Sequence, residues 1–404
     1  MNTACTAPAV LEPEEALVAL RADPEMFAAY NGSPLLAVRI RGPRAVEVGA
    51  LARWLPGVLV GVAPDLSDLP PGIETAGFDI LLTDQSEPPA PWVGPMGQGS
   101  DGQPGGTAEA LAAIAAMTRA VPAASVAFTQ LVRYSAHLDV RDAVIAESFV
   151  YSTLQAGAEF AVWLAGHRAA RASRAAASAT VPVSVPMSAS ASTAPASVSA
   201  SGATTVPSAP AVLVDRDGDE LWVELNRPQV RNAVSRDLRD GLVEAFTLAA
   251  GDPSVSAVRL RGVGPTFCSG GDLSEFGTLP DPAVGHAVRT SRSIPMALLR
   301  CADRVTAYVH GTCVGAGVEV PAFARRVVAD PRTTFRLPEL AMGLIPGAGG
   351  TSSIVRRVGR ERTAFLSLTG WAVGTAVAAA WGLVDDVRPV SGDTRPPLPE
   401  PGGR

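Results

Sequence analysis

From Ala175 to Pro210 the chain carries no charged and no aromatic residue. The stretch is alanine, serine, threonine, valine and five prolines, with a single Met and a single Gly. Such a composition cannot bury enough apolar surface to offset the entropy of ordering it. It predicts a disordered linker with an extended bias, and no compact core can run through it. A second break, Ser86–Gly106, is rich in Pro and Gly. The expected parts are therefore 1–85, a helical segment at 107–174, the linker at 175–210, a main unit at 211–390 and a disordered tail at 391–404. A chain of 404 residues is long enough for two or three such units.

Short apolar runs at Leu35–Ile40, Gly57–Ala63 and Phe78–Leu82, with a helical pattern after the first, predict a small β-α-β piece in 1–85. Residues 107–174 are alanine-rich, and Phe160, Trp163 and Leu164 share a helix face. Residues 211–388 alternate strand-like and helix-like segments, which suggests an α/β core. This unit opens with a hairpin, because Asp217-Gly218 separates Val212–Val214 from Leu221–Leu225.

Composition removes several function classes. The 39 acidic and 33 basic residues give a net charge of −6, so nucleic acid is not expected as a partner. All 33 basic residues are arginine, which excludes Schiff-base and phosphate-loop lysine chemistry. Cys5, Cys268, Cys301 and Cys313 form no CxxC pair and none has zinc spacing to a histidine, so no metal is expected. The first residues have neither a basic start nor a long apolar run, and no window reaches ~18 apolar residues. A cytoplasmic setting without membrane contact is the expectation.

Two glycine-rich turns follow two strands: Cys268-Ser269-Gly270-Gly271-Asp272 and Gly315-Ala316-Gly317. Each can aim free backbone N–H groups outward, and two such donors converging on one carbonyl oxygen form an oxyanion hole. Glu319 lies three residues past Ala316, and a helix starting near Gly317 is expected to put it in the favourable field of the helix N-terminus. Glu339 follows at the end of the strand-like FRLPE. Two carboxylates beside an oxyanion hole suit acid/base work on a water molecule. Cys268 and Cys313 occupy positions that require small residues, and packing is the reading for both. His310 reads as structural; His286 lies in a helix of the kind that shapes a substrate pocket.

The motifs LNRPQVRNA, FCSGGDL, VHGTCVGAGVE, FRLPELAMGLIPGAGGT and WGLVDDV occur in this order. With them, residues 212–388 resemble the crotonase, or enoyl-CoA hydratase/isomerase, superfamily. The resemblance implies a spiral of β-β-α repeats, assembly into a trimer or a pair of trimers, and an acyl-CoA substrate. Coenzyme A then enters as part of the substrate and no separate cofactor is needed. It also implies that the amides of Gly271 and Ala316 form the oxyanion hole. Arg231, Asn232 and Ala233 match the segment that passes the CoA phosphates and adenine, and Ser269 and Asp272 the turn that faces the adenine. Asp272 is read as bracing that turn. Glu319 and Glu339 match the two hydratase glutamates, and having both points to hydration of a trans-2-enoyl-CoA. The alternatives are isomerisation or another acyl-CoA enolate step, including one on an aryl-acetyl-CoA, or a non-catalytic partner subunit.

Relatives continue past WGLVDDV into terminal helices, which are not expected in the Pro/Gly-rich end of this chain. Residues 107–167 instead are similar to those helices. The resemblance implies that they cap the core, in cis or on a neighbouring subunit. A linker of this length spans on the order of 30–35 Å, enough for either.

Overall fold

Leu35, Leu36, Ala37 and Val38 are buried without alternation, as expected for a parallel strand covered on both faces. They belong to β2 (Leu35–Arg39), which lies between β1 (Val10–Leu11) and β3 (Val58–Val62); β4 (Ile80–Leu82) completes a four-stranded parallel sheet in the order β1-β2-β3-β4. The computed structural model describes residues 8–52, 54–69, 75, 77–96, 105–179, 209–279 and 281–395. Helices α1 (Pro13–Ala22) and α2 (Gly42–Ala52) accompany this sheet. Leu36, Val38 and Leu59 pack with Ala16, Leu17 and Val48 on the α1/α2 side.

The opposite face, with Leu35, Ala37, Val58 and Val60, packs into a core shared with two other parts of the chain. One is a run of four helices: α3 (Thr107–Ala120), α4 (Pro122–Ser135), α5 (Val140–Gln155) and α6 (Ala158–Ala179). The other is the stretch containing Leu340, Leu344, Ile345, Phe365 and Leu368. Arg133 of α4 locks the sheet to the helices. It donates to Asp79 at 2.6 and 2.7 Å and to the carbonyls of Leu55 and Gly57, each at 2.8 Å. Among the described residues no single helix is long and apolar enough to cross a membrane. The α3 and α4 pair meets that length only with a bend of 113°, and both contribute to the shared core.

The remaining chain builds a six-stranded sheet in the order β13-β10-β8-β7-β6-β5 and a three-stranded sheet in the order β12-β11-β9. The first contains β5 (Val212–Asp217), β6 (Glu220–Leu225), β7 (Ala257–Gly262), β8 (Val305–Val309), β10 (Arg326–Ala329) and β13 (Asp386–Val387). The second contains β9 (Thr312–Val314), β11 (Thr334–Arg336) and β12 (Val373–Gly374). The β5–β6 hairpin turns at Gly218, whose φ of 62° is open to glycine at little cost. The helices are α7 (Arg236–Gly251), α8 (Pro282–Ser291), α9 (Ile294–Leu298), α10 (Ala316–Glu319), α11 (Gly350–Val358), α12 (Arg360–Thr369) and α13 (Thr375–Trp381). Ser235 caps α7, and Asp281 caps α8 through the Val284 amide at 2.8 Å.

Three boundaries differ from the sequence expectation. Helix α6 runs to Ala179, past Ala175, because an alanine-rich run favours helix over coil; residues 180–208 of the expected linker lie outside the described residues. Residues 391–395 are fixed rather than disordered: Arg395 pairs with Asp215 and Glu224 at 2.8 and 2.9 Å, and the Gly392 carbonyl accepts from Arg261. The rest of the expected tail, 396–404, lies outside the described residues. Within the expected break at 86–106, Trp92 and Val93 are buried and Val93 bridges to Leu82. Two large apolar side chains outweigh the surrounding prolines there.

Candidate active site

Strand β7 feeds the first glycine-rich turn, and β9 feeds the second. Cys268 and Cys313 form a parallel bridge, and the Val314 amide donates to the Cys268 carbonyl at 3.1 Å, so the turns are stitched side by side. A Cβ on Gly317 would stand 2.2 Å from the Cys268 carbonyl oxygen, so the close approach requires glycine. Gly270 takes a φ of +94° and passes its carbonyl to the Val234 amide at 2.8 Å. Among the described residues the amides of Gly271 and Ala316 have no hydrogen-bond partner. Both residues line a cavity of about 440 Å3 that also contains Glu319 and Glu339.

Glu319 is 2% exposed. Its Oε2 accepts from the amides of Ala348 and Gly350 at 2.7 and 2.9 Å. Burial pushes its carboxyl up to about 7, and those two amides pull against the rise. The helix expected to support it is only one turn, Ala316–Glu319, because Pro321 starts a separate 3-10 turn. The amides that start α11, rather than the dipole of α10, therefore carry its electrostatics.

Glu339 sits just past β11, at the start of a 3-10 turn. Its Oε2 is shielded from water and has no hydrogen-bond partner among the described residues. Burial, then the nearby charge of Glu319, pushes its carboxyl well above the ordinary range. Gly315 precedes Ala316 with a φ of +51°, and a Cβ there would stand 2.2 Å from Glu339 Oε1. Glycine at 315 thus makes room for the carboxyl beside the second turn.

A third buried carboxylate, Glu147, was not anticipated. It comes from α5, which Asp139 caps through the Arg141 amide at 2.8 Å. Its oxygens accept from the Gly349 amide at 2.7 Å, the Thr351 amide at 2.9 Å and the Thr351 hydroxyl at 2.7 Å. Burial and the neighbouring Glu319 push it up to about 8. The local sequence AVIAESFV is an ordinary amphipathic helix, and nothing in it signals a site.

Of the other expected site residues, Ser269 and Asp272 line the cavity. Asp272 accepts from the Ser274 amide and hydroxyl and pairs with Arg227 at 3.2 Å. Its burial would raise the carboxyl, but these contacts outweigh it and hold the group low. Asn232 is fully buried. Its oxygen accepts from the Arg227 amide at 2.8 Å, and its amide donates to the carbonyls of Val263 and Thr266, each at 2.9 Å. All of that capacity goes to holding the loop, and the left-handed φ of 54° and 53° at Arg231 and Asn232 shapes its bend. Arg231 is exposed and Ala233 buried; neither lies in the cavity lining, though the Ser269 amide donates to the Arg231 carbonyl at 3.0 Å. His286 stacks on Phe149 and bonds Ser148 at 2.9 Å. His310 bonds the Gly264 carbonyl at 2.8 Å, and burial lowers its basicity. Burial pushes the Cys268 thiol up to about 12 and that of Cys313 well above its usual value, which suits neither to nucleophilic attack.

Residues 221–393 match the family described as enoyl-CoA hydratase/isomerase. The 2,3-dehydroadipyl-CoA hydratase of Escherichia coli is 34% identical over 179 residues, covering 44% of this chain and 69% of that protein. The mevalonyl-coenzyme A hydratase SIDH of Beauveria bassiana is 32% identical over 182 residues, covering 43% of this chain and 64% of that protein. A crystal structure of enoyl-CoA hydratase from Mycobacterium smegmatis is 33% identical, with a TM-score of 0.42 over 46% of this chain and 71% of that one. The spacing of the two turns, the two glutamates behind them and the matched sequence make this chain a member of the crotonase, or enoyl-CoA hydratase/isomerase, family.

Proposed function

We propose that the chain is an enoyl-CoA hydratase that adds water to a trans-2-enoyl-CoA. One observation carries this reading: Glu319 and Glu339 line the same cavity as the unpartnered amides of Gly271 and Ala316. The thioester carbonyl oxygen accepts from those two amides, which stabilise the enolate as negative charge moves onto it. Glu319 in its carboxylate form, accepting from Ala348 and Gly350, orients the water and takes its proton as the hydroxyl oxygen bonds to C3. Glu339, whose environment keeps it protonated, delivers a proton to C2. One proton then passes from Glu319 to Glu339, and the net change is addition of one water.

The segment from Arg231 to Ala233, together with Ser269 and Asp272, takes the CoA moiety on this reading. Homo-oligomeric assembly as a trimer or a pair of trimers, in the cytoplasm, accompanies it; a light-scattering mass tests the assembly. The relatives' names support a hydratase. The deciding experiment follows loss of the conjugated enoyl-thioester absorbance with short- and medium-chain trans-2-enoyl-CoAs. Turnover by the full chain, lost in Glu319→Gln and Glu339→Gln, is the expected result. Acyl-CoA binding without turnover in the unsubstituted chain overturns hydration in favour of another enolate reaction.

A further inference from the structure

The cavity has a second polar feature, apart from the glutamates. Arg289 of α8 lines it, next to Tyr151 and Gln155 of α5. The guanidinium carbon lies 4.5 Å above the Tyr151 ring. Tyr151 in turn lies against Gly347, where a Cβ would meet its ring edge at 2.4 Å, one residue before the Ala348 amide that holds Glu319. One continuous wall therefore runs from the reacting centre to the arginine.

Arg289 is half-buried. Its acceptors are the Ser148 hydroxyl at 3.3 Å, the Gln155 side-chain oxygen at 3.4 Å and the Ser152 hydroxyl. All three are neutral. Among the described residues no carboxylate comes within 4.0 Å of it. Arg133, Arg259 and Arg357 each have a carboxylate, from Asp79, Glu220 and Asp385, whereas Arg304 and Arg362 bond backbone carbonyls. Among the described residues Arg289 has neither a carboxylate nor a backbone carbonyl, only side-chain acceptors. Glu147 acts on Arg289 only at longer range, and its own oxygens are occupied by Gly349 and Thr351. A guanidinium carries five N–H donors, and three are used, which leaves two. A partly desolvated cation without a counter-ion is costly unless a ligand supplies the charge. The planar fork with free donors matches a carboxylate.

We propose that Arg289 is the anchor for a carboxylate at the far end of the substrate's acyl chain, so that the cavity takes ω-carboxyl acyl-CoA thioesters in preference to those ending in a methyl group. Tyr151 fixes the plane of the guanidinium, and the two serines and Gln155 hold it in the wall. This inference rests on the acyl-CoA reading of the cavity, but it does not require hydration.

The test compares binding of adipyl-CoA and hexanoyl-CoA to the full chain by titration calorimetry. The two differ only in a terminal carboxylate against a methyl, and neither has a double bond to hydrate. Adipyl-CoA is expected to bind tighter by on the order of 10- to 100-fold. In Arg289→Leu that preference is expected to vanish while hexanoyl-CoA affinity stays within about threefold. If Arg289→Leu also loses hexanoyl-CoA binding, Arg289→Gln, which removes the charge but keeps a polar amide near Ser148 and Ser152, takes its place. Equal affinities in the unsubstituted chain, or a preference that survives loss of the charge, overturn the proposal. A preference for adipyl-CoA without turnover of any enoyl-CoA keeps this subsite and removes the hydratase reading. Hydration without the preference does the opposite.

Discussion

Glu147 and Glu319 hold one turn through alternate amides. Glu319 accepts from Ala348 and Gly350, and Glu147 accepts from Gly349 and Thr351. The second pair of contacts comes from a helix some two hundred positions earlier in the chain. The turn that orients one candidate catalytic carboxylate is thus set by a part of the chain outside the matched family region. Glu147→Gln is expected to lower kcat by about tenfold with little change in KM, because an amide carries one acceptor oxygen where the turn uses two. Steady-state hydration kinetics check it; a change confined to KM would place Glu147 against substrate instead.

The buried carboxyls also set the pH dependence of stability. Glu147 is raised to about 8 and Glu319 to about 7, above their unfolded value of 4.5. Between those limits the folded state binds more protons than the unfolded one. Stability therefore falls as pH rises through that window. The expected result is a Tm that declines from pH 5 to pH 8. The decline should be shallower in Glu147→Gln, which has no proton to lose at that position. Calorimetry at pH 5, 6.5 and 8 checks both slopes; a Tm that climbs across the window contradicts the assignment.

Catalysis should follow the same groups. Glu339 must be protonated to act as the acid, and its carboxyl is raised by burial and by Glu319. Glu319 must be a carboxylate to take the proton of the water, and its carboxyl stands at about 7. The rate should accordingly rise as pH climbs through neutrality and fall on the alkaline side as Glu339 loses its proton. Glu319→Gln and Glu339→Gln are each expected to cut kcat by a factor on the order of 10²–10⁴. Profiles of kcat/KM against pH for the unsubstituted chain and for both variants test this.

Gly315 illustrates how a backbone position serves the site. At a φ of +51°, and with a Cβ due 2.2 Å from Glu339 Oε1, alanine meets both strain and collision. Gly315→Ala is expected to cost about 1–3 kcal/mol of stability and to lose activity comparably to Glu339→Gln. Gly374→Ala is the control, since nothing stands within 4 Å of its Cβ and its φ of −79° suits any residue. Urea unfolding and initial rates on both variants separate the effects.

The sequence made Glu319, Glu339 and the two turns legible because each lies inside a local motif whose spacing is itself the geometry. The Asp217-Gly218 hairpin was legible for the same reason. Glu147 was not, because its role exists only after α5 packs against the start of α11. Asn232 illustrates a different limit. Its motif marks the segment from Arg231 to Ala233 as one that passes the CoA, but says nothing of its side chain, which is used on Arg227, Val263 and Thr266. Arg395 and Trp92 were hidden by the prolines and glycines around them, which mark turns but do not say whether a neighbouring side chain finds a buried partner.

The strongest test of the architecture removes the N-terminal parts. The core holding Leu340, Leu344, Ile345, Phe365 and Leu368 is completed by Ile114, Phe128 and Leu131 of the helices and by Val58 and Val60 of the first sheet. Truncation to residues 209–404 exposes that surface and strips Gly349 and Thr351 of Glu147. Each large apolar side chain left exposed forgoes about 1.5–3 kcal/mol of burial, and several together exceed what a typical fold can lose. The truncated chain is therefore expected to be insoluble or inactive. A milder version keeps the whole chain and makes Arg133→Leu, which strands Asp79 at 3% exposure without its cation. That change is expected to cost about 3–5 kcal/mol, read by urea unfolding. Asp79→Asn in the same background should recover part of the loss, because the unpaired buried charge is then gone. A soluble, fully active fragment of residues 209–404 would mean that the helices are an ornament on the core, and the positioning role of Glu147 would fall with it.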